Sequence, residues 1–321
     1  MPYTNSQATP RSDIYALAMQ ANADFNKLFI ADKILPVKSE DVKRGIYMRA
    51  KLANAELLNG DALPREAGDA YQRVNRKYDT DTFDAVEYGL ESIIDDAYEA
   101  EVERFMNIEA TEASLLMKSL QISYETRVAA AVMNASTFTA TAAAVAYTEA
   151  NLATINLPAD VAAAKLRLLK KGIVPNAIIM SANVFYRIQR STLMQNQIFG
   201  VVPKSASQFT LPGEDDVARA LGVDTLFVAK AAYNANQKGQ TYSGSFIWSD
   251  TYVSVAQIQG GEYQAGGIGR TIQWSKDTTG LFTPETYRSD ERRSNVMRVR
   301  QHVAEKIIDE TAAELITTSY A

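Results

Sequence analysis

The sequence predicts an α+β chain organised around one long helix. Three observations carry this. Residues 104–134 contain no Pro and no Gly and are rich in Ala, Leu, Met, Glu, Lys and Arg, the strong helix formers. Residues 44–52 and the stretch from Met297 alternate apolar and polar side chains, which is strand periodicity. Between 150 and 260, helical and strand-like segments follow one another, the pattern of an α/β or α+β layered unit of roughly 110 residues.

Within the long helix, Ala113, Leu116, Met117, Leu120, Tyr124, Val128, Ala131 and Val132 recur at spacings of three and four and build one apolar stripe. Lys118 and Glu125 fall off that stripe or at its edge. Such a helix runs roughly 40–45 Å, well beyond the usual three or four turns, and serves as a spine for sheets and loops on either side.

From the start of the chain, residues 1–12 are polar with two prolines and read as an extended arm. Ser12 and Asp13 can cap a short helix over 13–26, with Ile14, Leu17, Ala18 and Ala21 on one narrow face. That face must dock on the body or on a neighbouring chain. Residues 28–37 are apolar and end at Pro36. Residues 44–89 read as a long two-stranded excursion whose tip, 55–70, holds the turn signals Asn59-Gly60-Asp61, Pro64 and Gly68. It has few large aliphatics and so builds little core of its own.

The acidic block 91–104 carries Glu91, Asp95, Asp96, Glu99, Glu101 and Glu103. It reads as a solvated helix face or the first turn of the spine, where acids suit the helix dipole. After an Ala/Thr-rich stretch come a helix stopped by Gly172, a strand over 177–181, a helix over 182–191, a helix over 213–222 ending in Gly222, and strands over 224–234 and 243–259. The Gly-rich stretch 260–270 fits no phosphate-binding pattern, because it leads into a strand and opens no helix. It reads as a flexible strand junction. In 281–308, Arg288, Arg292, Arg293, Arg298 and Arg300 cluster beside Glu285, Asp290 and Glu291. Met297, Val299 and Val303 take one strand face; Arg298, Arg300 and His302 take the other, exposed one.

Composition narrows function. The chain has no Cys and one His, which excludes disulfides, thiolate or multi-His metal sites and a cysteine nucleophile. A net charge of −5 gives no bulk attraction to nucleic acid. No apolar run reaches the roughly 18 residues of a membrane span, and the N-terminus lacks the basic start and apolar core of a secretory signal. No catalytic residue, cofactor fingerprint or metal motif stands out. A hydrolase using Asp95 and Glu99 and a non-assembling binding module are the rival readings.

The order of segments resembles the major capsid proteins of tailed bacteriophages, the Hong Kong-97-type capsid fold. The likeness rests on 88–134, with its acidic lead-in and the ending YETRVAAAVMN; on PNAIIMSANVFYRIQRS at 175–191; on 221–253; and on ETYRSDERRSNVMRVRQHVAEKII at 285–308. The family has no catalytic signature, so the joint order is the specific part. The resemblance implies an N-terminal arm with its leading strand (1–43), an extended loop (44–89), a peripheral domain with the spine helix (90–149), an axial domain (150–260), a peripheral sheet (261–305) and a C-terminal segment returning to the axial domain (306–321).

It further implies a structural protein without enzymatic activity or cofactor. Hexamers and pentamers would close into an icosahedral head around double-stranded DNA, assembled in the host bacterial cytoplasm, with no membrane. Portal and separate scaffolding or decoration proteins would be partners, and the DNA would be held without sequence-specific contacts. Inter-subunit contact candidates are Arg65, Arg288, Arg292, Arg293, Arg298, Arg300, Asp95, Asp96 and Glu99. A fused scaffolding domain is not expected. Nor is a Lys–Asn crosslink, since the loop tip holds Arg65 but no Lys; Lys51 and Lys77 flank it and Asn295 is the acceptor by position. An encapsulin-like nanocompartment of the same fold is the alternative.

Overall fold

The computed structural model describes residues 9–49, 64–68, 70–71, 73, 79–102, 107–200, 211–236, 239–278 and 280–320. Lys51, Lys77 and most of the loop tip lie outside these residues. The spine helix is Ile108–Val132, 25 residues long. Asn107 starts it, accepting from the Ala110 N–H at 3.0 Å. It spans about 38 Å. Its buried face is wider than the apolar stripe predicts: Ser114, Gln121 and Glu125 are buried with Met117, Leu120, Tyr124, Val128 and Val132.

A six-stranded sheet lies under the spine. Its centre is the long strand Ser294–Ile307. One edge of that strand pairs with Thr283–Ser289 over its first half and with Gly269–Trp274 over its last residues. The other edge pairs with Val86–Asp95. Thr9–Pro10 and the parallel strand Val37–Glu40 complete the sheet. Tyr124 and Thr271 share a hydroxyl hydrogen bond of 2.7 Å, and Arg127 donates to Glu305 at 3.0 Å, so polar ties join spine and sheet across the apolar contact.

A second sheet of five strands runs in the order Thr139–Ala142, Ala313–Thr317, Tyr252–Ala256, Ala177–Ser181, Thr225–Ala229. Helices Leu157–Lys170, Ala182–Gln189 and Glu214–Leu221 share its second core, built on Val161, Leu168, Ile178, Phe185 and Val255. Gly222 takes φ 61°, the left-handed conformation that lets the chain leave its helix. The last strand of the chain sits inside this sheet, paired on both edges.

Several local expectations give way. The N-terminal helix is two pieces, Ser12–Ala21 and Ala23–Asn26, broken at Asn22, and Arg11 stands at its cap position with no side-chain cap bond. Asn22 is buried and bonds Ser114 on the spine in both directions. Among the described residues the two-stranded excursion pairs Arg44–Arg49 with Asp79–Asp84; residues 86–89 already belong to the large sheet. The acidic block is not one helix. Glu91 and Asp95 lie on the strand, and among the described residues of the block Asp96–Val102 is the helical part. Strand pairing there wins because Val86–Asp95 makes ten cross-strand partners with the long strand. The single strands expected over 224–234 and 243–259 each break in two, and Ala232–Asn234 with Gly244–Phe246 forms a small separate hairpin.

Candidate assembly surfaces

Arg298 and Arg300 sit where strand alternation puts them, but their charges, and that of Arg288, are engaged within the chain. Arg298 stands opposite Glu91 in register and donates to it at 2.6 Å. Arg300 donates to Glu285 at 2.7 and 2.9 Å and also to Asp277. Arg288 grips both oxygens of Asp96. That hydrogen-bonded pairing holds the Asp96 carboxyl below the usual range and raises the Arg288 guanidinium. Asp95 accepts from the Ala97 N–H at 2.8 Å, and Glu99 accepts from Asn295 at 3.1 Å. Arg292 and Arg293 are exposed in the turn before the long strand, where Arg293 has φ 47°. Arg65 is exposed and lies 4.5 Å from the centre of the Tyr71 ring.

His302 is not the exposed residue that alternation suggests. It is 3% exposed. Its Nδ1 is 2.7 Å from Asp277 Oδ2 and its Nε2 is 3.1 Å from the Ala85 carbonyl. Trp274 meets its ring edge-on at 4.9 Å between centres. Burial works against the Asp277 carboxylate, yet hydrogen bonds from His302 and Arg300 hold its pKa below the usual range. Ala85 joins the two-stranded excursion to the sheet, and its N–H donates to the Lys43 carbonyl at 2.9 Å. The root of the excursion is therefore hydrogen-bonded through both backbone groups of one residue, Ala85.

Above this root the excursion lies along the body. Tyr47 is buried against Tyr263, 4.8 Å between ring centres, and donates to Asp81 at 3.1 Å. Its opposite face shows Ile46 and Met48, 74% and 42% exposed.

Glu125 is the most deeply buried acid of the spine. It accepts from the backbone N–H groups of Ile30 and Ala31 and from the Trp248 indole at 2.6 Å. Burial and the nearby Asp32 push its pKa up; the three donors pull it down, and the upward push prevails. One side chain thus ties the N-terminal segment, the spine and the chain between the second sheet's strands. The spacing held a signal for it. Gln121 and Glu125 follow Met117 at steps of four, on the buried face, and only their polarity argued against burial.

The Gly-rich stretch 260–270 is not a loose junction. Arg270, fully buried, donates to the carbonyls of Gly261, Gly266 and Gly269. Burial lowers its pKa. At Gly269 an added Cβ would meet the Lys306 carbonyl at 2.5 Å, so the backbones approach too closely for any side chain. Among the described residues no group of three or more His, Asp or Glu side chains is placed to hold a metal ion, and no helix is long and apolar enough to cross a membrane.

No protein-family model matches the chain, and no curated protein matches it in sequence. Solved structures do match its fold. A phage-related protein from Bordetella bronchiseptica RB50 superposes with a TM-score of 0.68 at 15% identity, covering 97% of this chain and 98% of its own. The capsid of cyanophage P-SCSP1u gives a TM-score of 0.60 at 12% identity over 91% and 88% of the two chains. The SrpI encapsulin of Synechococcus elongatus PCC 7942 gives 0.50 at 10% identity over 89% and 85%. These matches each cover about nine-tenths of the chain or more, and the chain has the tailed-phage capsid fold.

Proposed function

We propose that this chain is a major capsid protein that assembles as hexamers and pentamers into an icosahedral phage head around double-stranded DNA. The observation that carries the reading is the match with the capsid of cyanophage P-SCSP1u, 91% of one chain against 88% of the other, at a TM-score of 0.60. The exposed apolar face of Ile46 and Met48 supports it, since such a face suits contact with a neighbouring copy. Arg65, Arg292 and Arg293 are the exposed cations offered to neighbouring copies. Arg288, Arg298, Arg300, Asp95, Asp96 and Glu99 shape the surface those neighbours meet. Portal, scaffolding or decoration proteins and assembly in the host cytoplasm belong to the same reading.

Electron microscopy of the purified chain tests it. Closed particles are expected; a monomer at every concentration and salt overturns it. The encapsulin match supports a second reading, a nanocompartment of the same fold. Particles isolated from the native source decide between the two. Nuclease-protected DNA inside supports the phage head, and protein cargo without DNA supports the compartment.

A further inference from the structure

A cavity of about 290 Å³ lies between the N-terminal helices, the spine and the residues just before Thr283–Ser289. Its floor is buried and holds Phe29, Tyr124, Glu125 and Phe282. Asp32 and Val37 are exposed and form its rim, and Tyr15 and Met19 line one wall. An apolar cavity of about 150 Å³ holds benzene, so this one has room for an aromatic ring and a short chain. Four aromatic rings and two acidic side chains line it, and no Lys, Arg or His is among the described residues that do.

The polar groups around this cavity are short of a cation. Glu125 accepts from the neutral N–H groups of Ile30, Ala31 and Trp248. Buried acids are ordinarily paired with a positive charge. Asp32 follows Ala31 directly, and after burial its charge adds to what pushes the Glu125 pKa up. A cation in the cavity offsets that repulsion. Gln121, on the turn of the spine before Glu125 and 9% exposed, also lines the cavity. Its Nε2 donates to Asn26 Oδ1 at 2.9 Å, and its Oε1 has no partner among the described residues. The site thus offers two acids and a spare acceptor.

We propose that this cavity is a binding site for a small arylalkylammonium ion, a primary amine in its charged form with one aromatic ring on a short chain. The ammonium group carries three N–H donors, as a lysine head does, and suits a site rich in acceptors. Its charge is met by Asp32 and Glu125, and aromatic ring faces attract a cation besides. The ring of the ligand finds apolar company in Phe29, Met19 and Phe282, the usual division of a ligand pocket into an apolar lining and a few polar anchors. An anion of the same size meets two acids and no base. A neutral alcohol of that size keeps the apolar contact and loses the charge. The inference stands apart from the capsid reading, because every residue it uses belongs to one chain.

Isothermal titration calorimetry on the full-length chain tests the site with three probes of similar size: 2-phenylethylammonium, 2-phenylethanol and phenylacetate. Saturable binding of one ammonium per chain is expected, at least about tenfold tighter than either of the other two, the worth of a hydrogen bond to a charged group. Asp32→Asn, at the exposed rim, should weaken the ammonium by about tenfold on the same ground. Asp24→Asn removes an exposed acid that pairs with Lys27 at 2.8 Å and does not line the cavity, and it should leave the affinity unchanged. Equal affinity for the three probes, no saturable binding of the ammonium, or an Asp32→Asn chain that binds as the parent does overturns the site. If Asp32→Asn does not fold, the three probes on the unmodified chain decide. Binding by a chain that never assembles upholds the site while the capsid reading falls; closed particles that bind no ammonium remove the site alone.

Discussion

Trp248 donates its indole N–H to Glu125 Oε1 at 2.6 Å, and the other donors to that carboxylate are the backbones of Ile30 and Ala31. Three segments far apart in sequence meet on one buried acid. Glu125→Ala leaves three buried N–H groups without an acceptor. Each costs about 1–3 kcal/mol, so the loss is roughly 3 kcal/mol or more. Glu125→Gln keeps one acceptor and turns an NH₂ toward a donor, so it loses less. Urea midpoints at constant m-value report both; an alanine variant within about 0.5 kcal/mol of the parent would refute the hub.

The same carboxyl predicts a pH slope. Its folded pKa lies above the ordinary value of 4.5. The unfolded chain therefore releases this proton first as pH rises, and the folded chain holds more protons across the window that begins there. Stability from this group is fully present below that value and declines as pH rises through the window. The stability of the parent relative to Glu125→Gln should fall as pH rises from about 4.5 toward neutral. Asp277 acts with the opposite sign: its depressed pKa stabilises above the ordinary Asp value of 3.8 and is lost as pH falls below it. Denaturation curves for Glu125→Gln and for Asp277→Asn, each against the parent at several pH values, separate the two slopes.

Charge reversal distinguishes the two kinds of arginine. Arg300→Glu places a third carboxylate against Asp277 and Glu285, the latter 4% exposed, and should cost the isolated fold roughly 3 kcal/mol or more. Reversing exposed Arg292 and Arg293 together should change the melting of the isolated chain by about 0.5 kcal/mol at most, and act on assembly instead. Equal loss of thermal stability in both variants would contradict this division.

Gln301 is fully buried, and neither its amide nitrogen nor its carbonyl oxygen has a hydrogen-bond partner among the described residues. Replacing it by an apolar side chain of similar length removes that penalty. Gln301→Met is expected to stabilise the chain by about 1–2 kcal/mol, read as a rise in urea midpoint. A fall in the midpoint would mean the amide is satisfied.

The long elements were legible because periodicity is local. The helix 182–191 and the strand 177–181 were readable within two residues of their observed ends, and Gly172 and Gly222 both end helices as their positions suggest. The excursion was visible as alternation without core. What the sequence hid is set by distant partners. Alternation put His302 on an open face, and nothing near it announces that the turn holding Asp277 closes over it. Glu125 looked like a surface acid because its donors come from residues 30, 31 and 248. The arginines were placed on the right face, but their acids come from strands, turns and a helix of the same chain, which residue type alone does not tell.

Thr283–Ser289 and Gly269–Trp274 never pair with each other; they abut along one edge of the strand Ser294–Ile307. Gln301 and His302 fall at the seam, with no ladder partner on that edge. Val86–Asp95 overlaps the seam from the opposite edge, and the Asp277 turn plugs it through Arg300 and His302. The arrangement is a lap joint. Tension along the long strand loads its hydrogen bonds in shear, many at once, whereas tension across it peels them one at a time. The sheet is therefore stiff along the line of that strand, over about 46 Å, and weakest where the two abutting strands meet.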